Sequence, residues 1–137
     1  MTEAIRELAG LLEQRGIQVD GESSTEEWLV LADAPVTVSV DGDGLCIAVT
    51  QRFQTFSLKV NVGGQVRLEK VTGAGKDREP VDRAFASRGY RSEEDTEDPI
   101  ERSNFVLSSV QVTYRKTVKT PTDALAEVQG VLPLLRT

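Results

Sequence analysis

Apolar residues recur along the chain at two different periods, and the change between periods divides it into elements. Ile5, Leu8 and Leu12, with Ala9 and Leu11 beside them, lie at helical spacing and predict a helix from Glu3 to Arg15. Thr2 suits the N-cap, Glu3 the positive end of the helix dipole, and Gly16 the left-handed exit. Ile17 and Val19 then suggest a short strand, and Asp20-Gly21-Glu22-Ser23-Ser24 a turn.

From Trp28 onward the period becomes two. Directly opposed residues of an antiparallel pair share a face, so the apolar positions restrict the register. A loop at Ala32–Pro35 sets Leu31 opposite Val36 and Leu29 opposite Val38. A loop at Asp41–Gly44 sets Val40 opposite Leu45, Val38 opposite Ile47 and Val36 opposite Val49. Leu29-Val38-Ile47 and Leu31-Val36-Val49 then form continuous apolar rows across three strands.

After Val49 the apolar positions move from odd to even, through Phe56, Leu58, Val60 and Val62. Either a turn or a bulge accounts for the shift, and the lack of glycine and proline there favours a bulge in one long strand. Gly63-Gly64 marks the next hairpin. A three-residue loop opposes Val62 to Val66 and Val60 to Leu68, and is preferred to a two-residue loop that sets Val60 against Arg67.

Residues 72–103 form an irregular charged segment, within which Pro80 opens a short helix carrying Val81, Ala84 and Phe85 and ending at Gly89. A long strand follows from Asn104 to Val118, with Val106, Val110, Val112 and Tyr114 on one face. Thr120 caps a last helix with Pro121 in its first turn. Its stripe is Leu125, Val128, Leu132 and Leu135, and Pro133 kinks or ends it. The fold class expected is therefore α+β: an antiparallel β-meander of five to six strands, with N- and C-terminal amphipathic helices on one sheet face. Residues 1–137 read as a single domain without internal repeats.

Composition narrows the function. Hydrophobic residues make up 39% and charged residues 28% of the 137, ordinary for a globular chain. The net charge of −6 disfavours phosphate backbones and anionic lipid, so neither nucleic acid nor membrane is expected as a partner. No apolar run approaches the roughly 20 residues that span a bilayer, and the charged N-terminus does not resemble a leader, so a cytoplasmic location is expected. The one cysteine, Cys46, excludes an intramolecular disulfide. There is no histidine, which removes Ser-His-Asp and Cys-His catalysis and the usual zinc sites.

Two glycine-rich segments invite chemistry and fail on inspection. Thr72-Gly73-Ala74-Gly75-Lys76-Asp77 has Lys70 or Val71 where a phosphate loop needs its first glycine, and Asp77 where it needs a hydroxyl. Asp41-Gly42-Asp43-Gly44 runs into Leu45, Cys46 and Ile47, where a calcium loop would continue its oxygen ligands. No cofactor is implied.

Two features point to binding. Residues Arg67 to Arg91 carry seven basic and four acidic side chains, and Ser92 to Arg102 carry six acidic and one basic. Such runs are usually solvated, but Arg83, Arg88, Tyr90 and Arg91 form a candidate partner-binding loop. The second feature is the sheet face opposite the apolar rows. It carries Trp28-Ser39-Cys46 and Val30-Thr37-Ala48, with Lys59 as a candidate extension, and makes a shallow surface around the one tryptophan. Cys46 itself reads as a small buried hydrophobe. A carboxylate enzyme built on Glu93, Glu94 or Asp95 is disfavoured, because a flexible acidic loop lacks the rigid, desolvated site such catalysis needs.

The order of helix, antiparallel strands, short helix, strand and terminal helix resembles the layout of type III secretion chaperones. The resemblance covers most of the chain but no specific motif, so no functional residues carry over; it implies protein binding. The middle helix that builds the dimer in that family is short and polar here. The expected function is a non-catalytic protein-binding adaptor or chaperone-like module with a protein partner, with homodimerisation left open. The alternative is a binder of a small apolar ligand held between sheet and helices.

Overall fold

The computed structural model describes residues 2–71 and 76–135. The elements in order are α1 (Glu3–Gln14), β1 (Trp28–Val30), β2 (Val36–Asp41), β3 (Gly44–Val62), β4 (Gln65–Lys70), α2 (Arg78–Ser87), β5 (Arg91–Thr96), β6 (Ile100–Glu101), β7 (Phe105–Val118) and α3 (Pro121–Val131). The fold is α+β, with one seven-stranded antiparallel sheet. The order β1-β2-β3-β7-β5 forms its body, β4 extends the far end of β3, and β6 pairs with β7. No helix among the described residues is long and apolar enough to cross a membrane.

The terminal helices form where their caps allow. Thr2 Oγ1 accepts from the Ile5 amide at 3.4 Å, and Thr120 Oγ1 from the Asp123 amide at 3.1 Å. Gly16 takes φ +75° to leave α1. At Pro133 the last helix tightens into a 3-10 turn, Leu132–Leu135, because the proline has no N–H to give and its ring would meet the Gln129 carbonyl.

The registers of the first three strands follow the apolar rows: Leu29 opposes Val38, Val38 opposes Ile47 and Val36 opposes Val49. These side chains, together with Phe53, Val112 and Tyr114, lie under Ile5, Leu8 and Leu12 of α1, Val81 and Phe85 of α2, and Ala124, Leu125, Val128 and Val131 of α3. All belong to one buried cluster, so the three helices share a single sheet face.

Three expectations are corrected. First, β3 contains neither turn nor bulge. It pairs with β7 without interruption from Leu45–Val118 to Leu58–Phe105. The parity shift marks a change of apolar face: Leu45, Ile47, Val49 and Phe53 point to the helices, while Phe56, Leu58, Val60 and Val62 point the other way, past the helices' reach. Second, the β3–β4 loop has two residues, with Val62 opposite Gln65 and Val60 opposite Arg67. Gly63 and Gly64 both take positive φ, +60° and +81°, as a tight hairpin requires. Every residue of β4 is exposed, so no core exists there to reward matched apolar rows. Third, beyond the expected short helix α2 the charged segment is not irregular: its acidic part forms the strands β5 and β6. Its acidic half has no apolar alternation because β5 and β6 are exposed on both faces. Ion pairs anchor it instead: Glu93 to Arg115, Glu94 to Arg78, Glu97 to Arg52 and Glu101 to Lys59.

Candidate functional site

The sheet face turned away from the helices has no element over it among the described residues. At one end, Trp28 opposes Ser39, Ser39 opposes Cys46, and Cys46 opposes Thr117; the next row is Val30-Thr37-Ala48-Arg115-Arg91. Trp28, Thr37, Ser39 and Cys46 are therefore brought together, with Trp28 exposed and the others half-buried. A polar belt crosses the middle: the Thr50 and Thr113 hydroxyls lie 3.4 Å apart, Arg52 pairs with Glu97 at 2.9 Å, and Gln54 donates to Ser109 at 3.4 Å. At the far end the face turns apolar again. Phe56 and Phe105 lie with ring centroids 5.1 Å apart, Leu58 opposes Phe105, Ile100 opposes Leu107, and Val62 lies farther out along β3 on the same face.

Exposure gives this face its character. Trp28 is 44%, Leu58 41%, Val62 47% and Ile100 42% accessible, against 5% or less for the core residues on the other side of β3. Large apolar side chains are normally withdrawn from water at about 25 cal/mol per Å². Several of them left out on one face depart from that rule. The far part of the sheet, residues 55–70 and 100–109, projects beyond the helices as an arm. On its reverse side Val66 and Leu68, 67% and 59% accessible, flank an open groove of about 650 Å³ shared with Lys59, Asn61 and Val106.

The remaining candidate residues are scattered. Lys59 does not extend the Trp28 face. It has the parity of the helix-facing side of β3, opposes Leu68, and pairs with Glu101 at 2.7 Å. That contact holds the Glu101 carboxyl below the usual carboxylate range. Arg83 is bound to Glu79 at 2.8 Å on the outer side of α2. Arg91 is exposed at the start of β5, opposite Arg115.

Tyr90 belongs to the interior and is not free to stack on a partner, and Arg88, half-buried, is held in an ion pair rather than in an open loop. Tyr90 is 6% accessible, lies edge-on to Phe85 at 5.3 Å, and donates to Glu127 at 3.0 Å. Lys116 reaches Glu127 at 2.8 Å and the Arg88 carbonyl at 2.7 Å, and Arg88 lies 3.6 Å from the same carboxylate. The Arg88 guanidinium rests on the bare Cα of Gly130, where a Cβ would collide with it. Burial opposes the charge on Glu127, but bonds from Lys116 and Tyr90 and the cationic charges outweigh it and hold the carboxyl below its usual range. Burial first, and then the bond to Glu127, push the Tyr90 phenol well up. Nearby, Tyr114 stacks on Phe85 at 4.2 Å and donates to Asp82, which also accepts from Arg78 at 3.0 Å. These groups clamp α2 and α3 to β7.

Comparison with protein-family models, with curated proteins and with solved structures finds no match for the chain.

The other openings are less suited to a ligand. A cavity of about 220 Å³ lies among Ile17, Leu31, Pro35, Leu132 and Leu135, at the exit of α1. That is below the roughly 300 Å³ at which small-molecule sites begin. The space between sheet and helices is filled by the core. Of the phosphate-loop candidate, Thr72 to Gly75 lie outside the described residues, and Lys76 donates to the Leu134 carbonyl at 3.3 Å. Among the described residues no group of three or more His, Cys, Asp or Glu is placed to hold a metal ion.

Sequence reasoning missed the arm. Its signal was present in the even-numbered run from Phe56 to Val62, which reads as burial only if every apolar strand is assumed to face a core.

Proposed function

We propose that this protein is a non-catalytic protein-binding adaptor, and that its partner lies on the sheet face opposite the helices. One observation carries the reading: among the described residues, four of the six exposed large hydrophobic residues, Trp28, Leu58, Val62 and Ile100, share that face. The polar belt between its two apolar ends offers hydrogen bonds and exposed ion pairs, and this alternation suits a protein surface better than a lipid or a small molecule. The apolar ends would supply the anchors, Trp28 foremost, since tryptophan is enriched where interfaces are strongest.

The test is native mass spectrometry of tagged protein purified gently from its own host, beside Trp28→Ala and Ile100→Ser variants that melt at the wild-type temperature. A stoichiometric protein partner that both variants lose is the expected result. A monomer carrying only a small extra mass, or a partner that both variants keep, overturns the assignment.

A further inference from the structure

β4 uses one edge to pair with β3, and among the described residues no strand pairs with its other edge. The phase of its hydrogen bonds is fixed by the Val71 amide, which donates to the Phe56 carbonyl at 2.9 Å. In an antiparallel ladder such pairs alternate, so Gln65, Arg67 and Glu69 turn their backbone groups toward β3. Val66, Leu68 and Lys70 therefore present theirs outward. Any strand added to this edge must meet those three residues.

We propose that the added strand is β4 of a second copy of this chain, antiparallel, with Leu68 set on Leu68 of the partner subunit. A two-fold axis makes such a contact self-complementary or self-defeating, with nothing between. Outward residues must oppose outward residues, which restricts the register to steps of two. With Leu68 on the partner's Leu68, Arg67 opposes the partner's Glu69, and Glu69 opposes the partner's Arg67. A step one way sets Arg67 on the partner's Arg67, and a step the other way sets Glu69 on the partner's Glu69. Opposite charges directly across a strand pair stabilise it and like charges weaken it, so one register stands apart. It forms about six backbone hydrogen bonds between copies. Leu68, 59% accessible in the single copy, closes directly on its counterpart on the groove side, while Val66 lies diagonal to it and opposite Lys70 of the partner subunit.

The opposite edge of the sheet behaves differently. β5 reads Arg-Ser-Glu-Glu-Asp-Thr, and self-pairing about its centre would set its three consecutive acids against one another. That is the usual protection of an edge strand. β4, in contrast, alternates apolar side chains with charges of both signs.

The seam leaves the Trp28 face free, so it stands or falls independently of the adaptor reading. Sedimentation velocity from about 1 to about 300 μM tests it; a six-residue seam is small and places the dimer in the micromolar range. Wild-type protein is expected to dimerise. Arg67→Glu and Glu69→Arg, both fully solvent-facing changes, are each expected to weaken the dimer about tenfold or more with unchanged circular dichroism. The double variant Arg67→Glu/Glu69→Arg exchanges the charges and is expected to restore it. A wild-type monomer throughout the range, single variants that dimerise normally, or a double variant that fails to recover would each overturn the seam.

Discussion

The β3–β7 ladder runs unbroken from Leu45–Val118 to Leu58–Phe105, yet its two halves live in different surroundings. In the covered half, Leu45, Ile47, Val49 and Phe53 are at most 5% accessible beneath three helices. In the arm the same strands continue, equally rich in apolar residues, and Leu58 is 41% accessible. Backbone pairing is therefore not what separates a core from a surface in this molecule. The helices make the difference: they cover the face that carries Leu45 to Phe53, whereas Phe56 and Leu58 point to the opposite face. The covered half draws its stability from buried area; the arm relies on its ladder, on Lys59–Glu101 and on one aromatic pair.

Two aromatic truncations set the halves against each other with the largest expected effect. Phe85 is fully buried, stacked on Tyr114 and met edge-on by Tyr90. Phe85→Ala is expected to cost about 3–5 kcal/mol. Phe105 also has an aromatic partner, but it is only half-buried, and Phe105→Ala is expected to cost about 1 kcal/mol. Urea denaturation of both variants measures the gap. Equal losses would mean that the arm belongs to the same cooperative core.

Next in size comes the carboxylate that ties α3 to β7. Glu127→Gln weakens the bonds from Lys116, Tyr90 and Arg88 and is expected to cost about 1–3 kcal/mol at neutral pH. The folded carboxyl sits below its usual value of 4.5, so its ionisation favours folding. That contribution is fully present above pH 4.5 and is lost as the pH falls through the lower folded value. The gap between wild type and Glu127→Gln should hold steady above pH 4.5 and close below it, as read from urea midpoints across the acid range. A gap independent of pH would assign the role to packing alone.

What the sequence disclosed follows the same division. The registers of β1, β2 and β3 were legible because a buried face tolerates one alignment of Leu29, Val38 and Ile47. The caps at Thr2 and Thr120 were legible because they act within a few residues. The β3–β4 register was misread because matched apolar rows were expected on a hairpin that faces water on both sides. β5 was missed because Glu93, Glu94 and Asp95 have no apolar period, and their partners Arg115 and Arg78 lie far away in sequence or on another element. Trp28, Thr37, Ser39 and Cys46 were grouped correctly through the same three-strand register. Lys59 was placed with them on the condition that its strand folds back as a hairpin, whereas β3 runs straight through it, and Tyr90 was read as a loop aromatic although it completes the core.

The smallest effect sharpens the comparison most. Leu58 contributes little buried area, so Leu58→Ser is expected to change global stability by no more than about 0.5 kcal/mol. Its effect should appear in local opening. In hydrogen exchange followed by mass spectrometry, amides of Leu45–Val49 should exchange only through global unfolding, whereas those of Ser57–Val62 should open at lower free energy. Leu58→Ser should speed the second group a few-fold and leave the first unchanged. If instead the two groups respond together, the arm and the covered half unfold as one unit, and the exposed apolar residues on β3 contribute more to folding than their accessibility implies. If only the arm responds, its apolar residues are held in water by a scaffold that does not need them, the arrangement expected when a surface is kept for binding.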